Sequence, residues 1–96
     1  MDNISVIQKK FFETLSSIQD YAVYQALGEY DKEDSLEDLL YNATYEAITS
    51  ICELLDGYTN DNLQLDLIDR RDNSSLKAEI QLHDVCADYL KWRNVK

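Results

Sequence analysis

His83-Asp84-Val85-Cys86, with Asp88 two residues further on, gathers the residue types that could do chemistry. Imidazole and thiolate are zinc ligands, and His83 and Cys86 at i, i+3 would share one helical face. Zinc asks for three or four ligands, however, and the only other cysteine is Cys52. One histidine and two thiols make an incomplete set, so no metal is expected. A nucleophile–base reading fails on arrangement, because Cys86 and His83 would lie along one helix rather than across a cleft. Gly28 and Gly57 stand alone, so there is no glycine-rich phosphate loop. The expectation is a protein without catalytic set or cofactor, in which His83 and Asp84 begin a helix and Asp84 is favoured by its dipole.

A second group of residues suggests binding. Six of the ten residues from Glu29 to Asp38 are acidic, and only Lys32 is basic. The formal charge is −10. Residues 1–69 carry 15 acids and 3 bases, while residues 70–96 carry 4 acids and 6 bases. Such a body repels phosphate backbones, which argues against nucleic acid. Arg70-Arg71 does not reverse this, because Asp69 and Asp72 flank the pair. Acidic surfaces serve solubility and also match basic partners. Five of the seven tyrosines lie between Tyr21 and Tyr45. Tyrosine combines a large contact area with a polar end and is enriched at interfaces. The candidate partner-binding residues are therefore Glu29, Asp31, Glu33 and Asp34 together with Tyr41, Tyr45 and Ile48.

The elements that must carry these residues follow from the apolar spacing. There is no proline in the chain, which favours long uninterrupted helices. Ile4, Ile7, Phe11, Leu15, Ile18 and Ala22 predict a first helix over residues 4–27, ended by Gly28. Phe12, Val23 and Ala26 widen its apolar face. A second helix is predicted over residues 36–56. Ser35 is its N-cap, Ser35 and Asp38 approximate a capping box, and Gly57 is its terminator. Its main stripe is Leu36, Leu39, Leu40, Ala43, Ala47, Ile51, Leu54 and Leu55. Tyr41, Tyr45, Ile48 and Cys52 form a second strip beside it. Asp38, Asn42, Glu46, Thr49, Glu53 and Asp56 are left as the polar face.

After Gly57, residues 59–62 read as a turn cluster and the period changes to two. Leu63, Leu65 and Leu67 alternate with polar residues, as do Leu76, Ala78, Ile80 and Leu82. This predicts a β-hairpin with Leu65 opposite Ala78, Asp66 opposite Lys77 and the aliphatic residues on one face. A helix starting at Ser75 is the competing reading. Residues 83–93 then predict a short helix with Val85, Cys86, Tyr89 and Leu90 inward and Trp92 at an edge.

The expected fold is one α+β domain over residues 1–96, mostly helical: two long antiparallel helices, a β-hairpin and a short C-terminal helix. An all-α bundle of three to four helices is the alternative. The first residues contain an acid at position 2 and no long apolar run, so neither a signal peptide nor a membrane anchor is expected, and a cytoplasmic location follows. Expected function is binding of another protein, with an immunity-type or antitoxin-type inhibitor of a basic partner as a concrete form. The alternative is a structural homodimer joined through the Tyr41–Cys52 strip.

Overall fold

The computed structural model describes residues 5–58 and 63–92. In chain order it contains α1 (Val6–Glu29), α2 (Leu36–Leu55), β1 (Ile68–Asp69), β2 (Ser74–Ser75) and α3 (Leu82–Cys86). This is the mostly helical α+β arrangement that the spacing predicts, with two long helices and a small antiparallel hairpin.

Ser5 starts α1 through a capping box: its hydroxyl accepts from Gln8 N–H while the Gln8 side chain accepts from Ser5 N–H. Ile4, the predicted first residue, lies outside the described residues. Gly28 does not end the helix. α1 runs one residue past it to Glu29, and Tyr30 caps it in an extended conformation. Ser35 and Asp38 form the predicted capping box at the start of α2. Gly57 ends α2 with a φ of 94°, a left-handed conformation that suits a residue without a Cβ. With only six residues between them, α1 and α2 pack as an antiparallel helical hairpin. Ala22 and Ala26 are buried on α1, where small side chains permit close approach.

The core is small. Ile18, Leu54 and Leu63 are its buried centre, with Phe11, Leu15, Ile51 and Leu65 packed around them. Several residues of the predicted α2 stripe fall outside it; Leu36 is 64% exposed and Leu40 is exposed as well. The accessible surface is 7224 Å², against about 5,700 Å² for a compact monomer of this mass. The radius of gyration is 15.5 Å, against about 12.5 Å for a compact chain of this length.

The hairpin keeps the predicted register but shifts its ladder. Ile68 pairs with Ser75 and Asp69 with Ser74, the same alignment that sets Leu65 opposite Ala78. The ladder lies between the two alternating segments rather than within them, and only Arg70 to Asn73 remain as the connection, with Asn73 left-handed at φ 62°. The alternating residues are not strands. Beyond Leu76 the chain enters successive turns, and Glu79 takes a positive φ of 64°. The aliphatic face is accordingly not assembled: Leu63 is buried and Leu65 half-buried, while Leu67, Ile68, Leu76 and Ile80 are exposed. Lys77 explains the departure. Its ammonium turns back to donate to the carbonyls of Leu55 (2.5 Å) and Leu65 (2.7 Å). A cation there meets the negative end of the α2 dipole.

Candidate partner-binding surface

α3 is seated by the last turn of α2. The Asp56 carboxylate accepts from the backbone N–H of Leu82 (2.9 Å) and of His83 (2.8 Å), and pairs with His83 Nδ1 at 2.7 Å. It does for α3 what the N-cap residue does elsewhere, since Gln81 makes no side-chain cap bond. Desolvation pushes the Asp56 pKa up, but the bonds from the His83 backbone and ring and from Leu82 outweigh it and hold the carboxyl below its usual range. The same bond raises the His83 pKa; burial opposes it, and the charges of Asp84, Asp56 and Glu53 reinforce it. Tyr58 stands edge-on to the imidazole and accepts a hydrogen bond from the Gln81 amide.

The thiols complete this seat. Cys86 Sγ lies 3.9 Å from Thr49 Oγ1 and donates to its own helix at His83 O (3.7 Å). Burial, then the neighbouring Cys86, then Asp56 and Glu53 push the Cys52 pKa up to about 11. A thiol held protonated in this way is a weak nucleophile and ligand. Among the described residues, no group of three or more histidines, cysteines and carboxylates is placed to hold a metal ion.

The candidate binding residues divide into two groups. Glu29 is the last residue of α1, and Asp31, Glu33 and Asp34 lie in the turn that follows it. Asp34, expected to be exposed, is only 8% exposed. Its carboxylate accepts from Asp31 N–H at 2.9 Å, while Asp34 N–H donates to Asp31 O at 2.8 Å. Asp31 in turn accepts from Glu33 N–H. Two of the four acids therefore build the turn, while Glu29 and Glu33 are exposed on it.

Tyr41, Tyr45 and Ile48 do share one face of α2, but the chain itself partly covers it. Tyr45 stacks on Trp92 with centroids 4.7 Å apart and planes at 21°. Tyr41 and Ile48 remain exposed and border a hollow of about 250 Å³ with Tyr89 and Leu90. Tyr89 was expected inward and is 83% exposed, because α3 stops at Cys86 and turns follow. Residue 93, the predicted end of this helix, lies outside the described residues. The expected polar face of α2 is also used: Thr49 and Asp56 hold α3, and Asn42 is buried.

The surface that the spacing did not single out is on the other flank of the helical hairpin. A groove of about 530 Å³ runs between α1 and α2, lined by Phe12, Leu15, Ser16, Ile18, Gln19, Ala22 and Val23 of α1 and by Ala43, Thr44, Ala47 and Ile51 of α2. Its lining is mostly apolar, with Ser16, Gln19 and Thr44 as the polar members. Phe12 is 54% and Val23 48% exposed. The signal was the width of the first apolar face: Phe12 and Val23 lie beyond the arc that one neighbouring helix covers. A smaller hollow of about 310 Å³, lined by Glu37, Leu40, Tyr41 and Thr44, adjoins it through Thr44.

Comparison with protein-family models, with curated proteins and with solved structures finds no match. Among the described residues, no helix is long and apolar enough to cross a membrane.

Proposed function

We propose that the chain is a small acidic cytoplasmic module that works by binding another protein through the α1–α2 flank. The observation that carries this reading is the apolar groove between the two long helices. Exposed apolar surface gathered in a groove is a place where a partner can dock. Charge supplies the second requirement. Glu29 and Glu33 at the turn, within a body of net charge −10, favour a basic partner and speed its approach. Inhibition of a basic protein by occlusion, as an immunity protein or antitoxin does, is the concrete form of this reading. Self-association is the second reading, because a copy of the chain could also cover an open groove, against the repulsion of its own acids.

Affinity isolation from the source cells tests the proposal, with wild-type bait beside bait carrying Phe12→Glu and Val23→Glu. Both positions are about half exposed, so the fold tolerates the changes. A partner held by wild type and lost by the variant agrees with the proposal. A partner retained equally by both places the interface elsewhere.

A further inference from the structure

We infer that the occupant of the α1–α2 groove is a single basic amphipathic helix of a partner protein, lying along the groove as the third helix of a bundle. This inference rests on the proposed protein-binding role and specifies the partner's chemistry. The groove is formed by two antiparallel helices, so its walls carry the ridges that a third helix packs against. Its floor includes Ala22, Ala43 and Ala47, and small side chains there let a helix approach closely. Phe12 and Val23 stand along one wall. They are eleven positions apart on α1, or about 16 Å at 1.5 Å per residue, which is about three turns. The complementary partner is therefore a helix of three to four turns with apolar residues at i, i+3 or i+4, i+7 and i+11.

Charge selects among such helices. α1 and α2 together carry seven acids and two bases, and α2 has no base at all. Glu13 and Asp20 lie one helical turn from the groove residues Ser16 and Val23, and Glu37 borders the adjoining hollow; against these three acids stands Lys9, one turn from Phe12. A second copy of the chain would set this acidic rim against itself. A helix with lysine or arginine on its polar flanks would be drawn in.

The test uses three synthetic 18-residue peptides titrated into the full chain by NMR and calorimetry. One has a leucine stripe at helical spacing with lysine elsewhere, the second has glutamate in place of lysine, and the third has the first peptide's composition scrambled to remove the stripe. Sedimentation of the chain alone runs beside them. The expected result is binding of the lysine helix at least tenfold tighter than either control. Shifts should centre on Phe12, Val23 and Ala47, affinity should fall as salt rises, and Phe12→Glu with Val23→Glu should abolish binding.

Equal binding of the glutamate helix overturns the choice of a basic helix while leaving a helix-binding groove. Equal binding of the scrambled peptide overturns the helix and leaves only charge attraction. A dimer that Val23→Glu dissociates overturns the inference in favour of a second copy. A monomer that binds none of the peptides also overturns it. The isolation experiment with wild-type and variant bait then decides separately whether the protein-binding reading survives.

Discussion

His83 Nδ1 lies 2.7 Å from Asp56 Oδ2, and this contact joins the start of α3 to the end of α2. The folded pKa of His83 is raised, so the ion pair contributes fully below the unfolded histidine value of about 6.5 and is lost as pH rises through the higher folded value. The Asp56 pKa is lowered, so its contribution is present above an unfolded value of about 3.9 and is lost as pH falls through the folded one. α3 should therefore be held best from about pH 4 to about pH 6.5. The amides of Leu82 and His83 both donate to Asp56, so hydrogen exchange can follow them. Their protection, corrected for intrinsic rates, should fall as pH rises above about 6.5, and should fall less in His83→Gln. Protection that stays flat over this rise would contradict the account.

Leu54 and Leu36 occupy the same predicted stripe of α2 but differ in burial: Leu54 is fully buried, whereas Leu36 is largely exposed. Leu54→Ala should cost about 2–5 kcal/mol in urea unfolding, a large share of a small domain's ~5–15 kcal/mol. Leu36→Ala should stay within about 0.5 kcal/mol. Similar losses at the two sites would show that the core is misplaced.

The acids of the α1–α2 turn should separate in the same way. Asp34→Ala removes the acceptor for Asp31 N–H and should cost about 1 kcal/mol. Glu33→Gln should leave the melting temperature unchanged and slow association with a basic partner. If Asp34→Ala melts like wild type, the turn does not depend on that carboxylate.

Glu46 records the repulsion within the acidic body. Burial first, then the charges of Glu29 and Glu53, raise its pKa, so its ionised form opposes folding. Stability should rise as pH falls through that raised value. Glu46→Gln should raise the melting temperature at pH 7, and sodium chloride should raise that of the wild type, since screening shortens the Debye length to about 10 Å at 0.1 M. Thermal scans across salt check both. A lower melting temperature for Glu46→Gln would mean that the carboxylate is stabilised by partners.

The two long helices were legible because three- and four-residue spacing and the Ser35–Asp38 cap all agree. The hairpin register was legible too, because aligning Leu65 with Ala78 matches the observed pairs. The strand extent was not. Alternation reports which residues seek cover, whereas the path from Leu76 to Gln81 follows Lys77 as it reaches the Leu55 carbonyl at the end of α2, a contact across 22 positions. The seat of α3 was hidden for the same reason: Asp56 reads as an exposed helix end until Leu82 and His83 are brought to it. Residue type likewise gave no hint that Asn42 and Asp34 would be buried. At the candidate site, the acidic turn was placed correctly, and Tyr45 was spent on Trp92. Phe12 and Val23 were read as widening the apolar face of the first helix, and nothing in the spacing marked them as the wall of an open groove.

Crosslinking at two adjacent positions on α1 tests the central claim most directly. Val23 lines the groove, and Tyr24, the next residue, points about 100° away and is 74% exposed. A photoreactive phenylalanine placed at each position in turn, in the chain expressed in its source cells, reports what lies within a few ångströms. The account predicts a discrete crosslinked protein from position 23 and none from position 24, with the crosslinked segment helical and basic. Equal crosslinking from both positions, or a product from position 24 alone, would contradict it.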